Sequence, residues 1–121
     1  MLSTVVIRHR YIFQNMSYRF MRVIVFFDLP METNQERKEY TKFRKYLIKS
    51  GFLMMQKSVY CKLVLNGTAY TTLVEQVKRN KPSDGNVQLL AVTERQYARI
   101  EYILGENKSD VLNSDERIIE L

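Results

Sequence analysis

The sequence predicts an α+β fold, and three observations carry that prediction. Apolar runs rich in Val, Ile, Leu and Phe recur along the chain, segments of helical period lie between them, and Gly, Asn or Pro marks the junctions. The resulting order, strand, helix, strand, strand, helix, strand, is the ferredoxin-like βαββαβ arrangement, with one antiparallel sheet and both helices on one of its faces. The 121 residues suit one domain with one core, and 45% apolar residues can fill it. Residues 16–104 are assigned to that domain and residues 1–15 to an N-terminal extension. Residues 105–121 read as an additional C-terminal strand or tail that docks on a partner.

The first strand, "MRVIVFFD" at residues 21–28, is an unbroken run of strand formers, which predicts burial on both faces. Pro30 ends it by withholding a ladder donor. A helix is expected over 34–50. Thr33 or Asn34 can cap it, Glu36 can complete a capping box, and Tyr40, Phe43 and Leu47 fall on one core stripe. Gly51 stops this helix in the C′ position. Residues 52–56 and 58–65 read as two strands, or as one long strand broken near Lys57. In the second of them Val59, Cys61, Leu63 and Leu65 alternate with Tyr60, Lys62 and Val64. Asn66-Gly67 then turns the chain into a helix over 68–80. Thr68 is its candidate cap, and Leu73 and Val77 are its core contacts, with Ala69 or Tyr70 one turn earlier. A loop, "NKPSDGN", leads to a strand over 87–93. After it, "ERQYARIEYI" reads as a short strand or a helix, and "LNSDERIIEL" as a polar turn with a short apolar end.

Composition narrows the class of partner. The net charge is +6 and the pI about 9.5, which favours a polyanion, nucleic acid before membrane. Residues 1–27 carry Arg8, Arg10, Arg19 and Arg22 and no acid, whereas residues 94–121 are rich in Asp and Glu. No apolar run approaches the roughly 18 residues of a membrane span, so no membrane association is expected. The N-terminus lacks a signal-peptide pattern, and with Cys61 as the sole cysteine no intramolecular disulfide can form; a cytoplasmic protein is expected. One sheet face is left without helices. Tyr60 and Val64 are expected to point that way, where a homodimer stacked sheet to sheet would cover them.

Few residues carry a catalytic signature. His9 alone cannot build a multi-histidine metal site, and there is no GxGxxG or phosphate-binding loop. Cys61, in mid-strand, reads as small core filling or as a nucleophile. Asp28 ends the first strand. It either caps the following turn or, held rigidly, ligates a hard cation such as Mg²⁺, which often takes only one or two protein oxygens. In a symmetric dimer two copies of Asp28 could share a metal and a scissile phosphate. On the first helix Lys38, Lys42, Lys45 and Lys49 form a stripe with no acid in it, and Arg37 and Arg44 lie on an adjoining row. That stripe is either a solvated helix face or a track for a phosphate backbone, read without regard to base sequence.

"MRVIVFFDLP", a basic helix and "GFLMMQKSVYCKLVL" together resemble the CRISPR-associated protein 2 family over about residues 16–121. The family's marks, a first strand ending in Asp and a Gly-x-x-x-x-Gln-x-Ser-Val-aromatic segment, fall here on Asp28, Gly51, Gln56, Ser58, Val59 and Tyr60. "VTERQYARI" and "NSDERIIEL" look like members found in type II systems. The resemblance implies a ferredoxin-like homodimer that takes part in adaptation, the capture of short foreign DNA as new spacers. Such a dimer bridges dimers of the CRISPR-associated protein 1 integrase and holds double-stranded DNA. It would dock on the integrase through the tail, with Arg117, Ile118, Ile119 and Leu121 as the contact residues. The resemblance also implies the alternative of a stand-alone endonuclease, dependent on Mg²⁺ or another divalent cation and cleaving RNA or DNA, with Asp28 as the metal-binding and catalytic residue. A third class, a single-stranded RNA binder built on the same strand order, fails on "SVYCKLVL", which lacks a Gly-aromatic stacking platform.

Overall fold

The structure, a computed structural model, describes residues 20–106. The expected extension (1–15) and the tail residues Arg117, Ile118, Ile119 and Leu121 lie outside the described residues. The elements are β1 (Met21–Asp28), α1 (Asn34–Lys49), β2 (Leu53–Gln56), β3 (Val59–Val64), α2 (Gly67–Arg79), β4 (Asn86–Thr93) and the short α3 (Glu94–Tyr97). The sheet order is β2-β3-β1-β4, with every neighbouring pair antiparallel, so the βαββαβ expectation holds. The segment after β4, which the sequence left as strand or helix, is helical.

Strand β1 lies between β3 and β4, which explains its unbroken apolar run. Alternation sends Met21, Val23, Val25 and Phe27 to the helix side, where they are buried with Tyr40, Phe43 and Leu47 of α1 and Tyr70, Leu73 and Val77 of α2. Phe27 is the hub of that core: its ring centroid lies 5.2 Å from Phe43, edge-on, and 5.7 Å from Tyr60, stacked.

The ends of α1 are fixed locally. Thr33 caps it by accepting from the Glu36 N–H, while the Glu36 carboxylate accepts from the Thr33 N–H at 2.9 Å. At the other end Gly51 adopts φ +96° and donates to the Ile48 carbonyl, and Phe52 donates to the Leu47 carbonyl. This pair of bonds is a Schellman motif, and it delivers buried Phe52 into the core. The cap of α2 is Asn66, not Thr68; its side-chain oxygen accepts from the Ala69 N–H at 2.8 Å. The Asn-Gly pair expected as a plain turn therefore starts the helix.

The expected orientation of β3 is corrected. Tyr60 and Val64 do not face the side without helices; they are buried beneath α1 and α2, 0% and 3% exposed. The register fixes this, because Tyr60 pairs with Val25, which is itself on the helix side. The opposite face carries Ile24, Phe26, Val59, Cys61 and Val92. Tyr97 of α3 and Ile100 cover part of it. Leu53, Leu63 and Leu90 remain exposed there, each placed by its register against Cys61, Arg22 or Ile24. Among the described residues no helix is long and apolar enough to cross a membrane.

Candidate nucleic-acid interface

The outer face of α1 follows from its inner one. With Tyr40, Phe43 and Leu47 turned into the core, the helical period leaves Lys38, Lys42, Lys45 and Lys49 outward, and all of them are exposed together with Arg37 and Arg44. An open hollow of about 640 Å³ runs along this face, lined by Asn34, Arg37, Lys38, Thr41, Lys42 and Lys45. Arg37 is tethered at the helix start. Its Nη1 donates to the carbonyls of Met31 and Glu32, at 3.0 and 2.9 Å, and its Nη2 donates to the Asn34 side chain. The lysines and Arg44 form no ion pair among the described residues. The structure thus brings Arg37, Lys38, Lys42 and Lys45 around one hollow; Arg44 and Lys49 lie outside its lining.

Asp28 occupies the last position of β1, paired with Asn86 on β4. Alternation places it on the same sheet face as Ile24 and Phe26, the face without α1 and α2. It is exposed, and its carboxylate accepts no hydrogen bond among the described residues, so it does not cap the following turn. Its position is set by a tight backbone crossing, where Gly85 passes against the Asp28 carbonyl and Leu29. No group of three or more His, Cys, Asp and Glu side chains converges there or elsewhere among the described residues. A cation at Asp28 would therefore take a single carboxylate from one chain, a donor set that fits Mg²⁺ with its remaining positions filled by water and phosphate oxygen.

Sequence reasoning missed a polar cluster on the same face. Arg22 projects from β1 and makes a two-pronged bond to Glu94, Nε to Oε1 at 2.8 Å and Nη2 to Oε2 at 2.9 Å. Its guanidinium also lies 4.4 Å from the centre of the Tyr97 ring. The hydrogen bonds that Arg22 donates to Glu94 raise its basicity further, outweighing the opposing effect of burial. The cluster locks α3 onto the sheet and closes over Cys61, which is fully buried as core filling. A lone Arg amid an apolar strand was the available signal, since such a residue needs a partner.

A model of the family described as CRISPR associated protein Cas2 matches residues 21–100. A protein of Treponema denticola named CRISPR-associated endoribonuclease Cas2 is 58% identical over 101 residues, covering 84% of this chain and 100% of its own. A protein of the same name from Streptococcus mutans is 50% identical over 99 residues, covering 82% and 91%. A solved structure described as a crystal structure of Cas2 superposes with a TM-score of 0.53 at 21% identity, over 74% of this chain and 92% of that one. That last likeness speaks to the fold alone.

Proposed function

The chain belongs to the CRISPR associated protein Cas2 family, and from that premise we propose that it is a CRISPR adaptation subunit that holds duplex DNA for spacer capture. The observation that carries this reading is the row of exposed cations on α1, which among the described residues meet no acid in an ion pair. Such a face is suited to phosphates, because it concentrates positive charge along one helix. The reading includes a homodimer. Leu53, Leu63 and Leu90 leave an apolar surface on the sheet face opposite the helices, and a second copy stacked there would bury it. It also includes the CRISPR-associated protein 1 integrase as the partner, reached by the tail residues Arg117, Ile118, Ile119 and Leu121.

The test is duplex binding followed by anisotropy across a salt series, with the full chain and a Lys38→Gln/Lys42→Gln/Lys45→Gln variant. Each phosphate contact contributes about 0.9 to the slope of log affinity against log salt, so the variant should lose up to roughly 3 from that slope. An unchanged slope would refute the assignment.

Asp28 favours a second reading. A rigid, exposed carboxylate without a hydrogen-bond partner among the described residues is available to a cation, and the relatives in Treponema and Streptococcus bear the name endoribonuclease. Here Asp28 would hold Mg²⁺, and the ion would supply Lewis-acid activation of a phosphodiester. One carboxylate per chain makes the site depend on the dimer, in which the second copy of Asp28 would complete it. Cleavage of labelled RNA or DNA that requires both Mg²⁺ and Asp28 would support this activity; cleavage unaffected by Asp28→Asn would remove Asp28 from it.

A further inference from the structure

Between the middle of α1 and the end of α2 lies a second hollow, of about 140 Å³. Lys42, Arg79 and Lys81 bring cationic side chains to its lining, against the single carboxylate of Glu39. None of these cations forms an ion pair among the described residues; the bridge made by α2 uses Lys78 and Glu75 instead. One wall is aromatic, with the Phe43 and Tyr46 rings stacked at a centroid distance of 6.2 Å. The Tyr46 hydroxyl is buried and meets no hydrogen-bonding partner among the described residues.

An excess of positive charge and a forked guanidinium describe a site for a tetrahedral oxyanion. The hollow is of a size for one phosphate group and not for a whole nucleotide. Lys42 lines both this hollow and the longer one on α1, so one side chain borders the two. We propose that the hollow seats one backbone phosphate of a nucleic acid lying along α1, with Arg79 and Lys81 as its far contacts. The proposal rests on the duplex-holding reading and adds α2 to the surface that does the holding. Glu39 opposes the anion and so limits the strength of the contact.

The experiment compares the full chain with Arg79→Gln/Lys81→Gln and with Glu39→Gln. Both positions of the double variant are exposed, so the fold should survive. Duplex anisotropy across salt should show the double variant weakened by about tenfold, with a slope reduced by about 1, and Glu39→Gln binding more tightly than wild type. A double variant with wild-type affinity and slope overturns the proposal; if Lys38→Gln/Lys45→Gln still weakens binding, the duplex-holding reading survives its loss. Thermal melts in sodium phosphate against sodium chloride at matched ionic strength separate the source of the anion. A rise in Tm with phosphate that the double variant lacks, together with unchanged duplex binding, would assign the hollow to free phosphate and overturn its place on the nucleic-acid path.

Discussion

Replacing Gly85 by Ala should dislodge the end of the strand that carries Asp28. Gly85 adopts φ +98°, and a Cβ built on it would lie 2.7 Å from the Asp28 carbonyl oxygen, 2.8 Å from Leu29 Cδ2 and 3.0 Å from Leu29 Cα. Two of those atoms are backbone, so no rotamer change can make room. The left-handed conformation costs a non-glycine residue about 1–2 kcal/mol, and forcing apart a packed contact adds about 1–3 kcal/mol. With about 4–8 °C of Tm per kcal/mol for a domain of this size, a total of about 2–5 kcal/mol means that Gly85→Ala should melt roughly 10–40 °C below wild type. Gly51→Ala is the control. Its φ is +96°, but the nearest atoms to its Cβ are Lys62 Cε and Nζ at 3.5 Å, an ordinary contact with a flexible side chain. It should lose only the conformational part, about 1–2 kcal/mol. Melts of both variants, followed by circular dichroism, decide the matter. If Gly85→Ala melts within about 2 °C of Gly51→Ala, the close crossing does not hold the strand end and the reasoning fails.

Burial pushes the Tyr70 phenol up to about 12, so its neutral form favours the folded state. That contribution is complete below about pH 10, the unfolded value, and is lost as pH rises towards 12; urea titrations should show Tyr70→Phe flattening the fall of stability over this window. The Tyr60 hydroxyl is buried without a partner among the described residues, so Tyr60→Phe should leave Tm unchanged or raise it, and a clear drop would mean that the hydroxyl has an acceptor. Deleting residues 113–121 should abolish assembly with the integrase in size-exclusion chromatography; an intact complex would move the docking site elsewhere.

Much of this architecture was legible because local signals agree with the global fold. The capping box at Thr33, the stripe of Tyr40, Phe43 and Leu47, and Gly51 at the helix end each predict the same boundaries that the packing enforces. The basic stripe was legible for the same reason, since a helix with one face in the core presents the other. What was not legible depends on register. Alternation in "SVYCKLVL" divides Tyr60 from Cys61, but it does not say which set meets the helices; pairing of Tyr60 with Val25 decides that. The Arg22–Glu94 bond joins residues far apart in sequence; an Arg within an apolar strand calls for a partner, but the sequence does not say which acid supplies it. The hollow shared by Lys42, Arg79 and Lys81 likewise exists only once α1 and α2 lie side by side on the sheet.

Integration of a short DNA duplex into a repeat-bearing plasmid, with purified integrase, tests the central claim most directly. The variants to compare with wild type are Asp28→Ala and Lys38→Gln/Lys42→Gln/Lys45→Gln. A subunit that works by holding DNA predicts integration with Asp28→Ala and its loss with the lysine variant. Integration lost with Asp28→Ala in a complex that still assembles, and kept with the lysine variant, would contradict it and give the pathway's chemistry to the carboxylate at the end of β1.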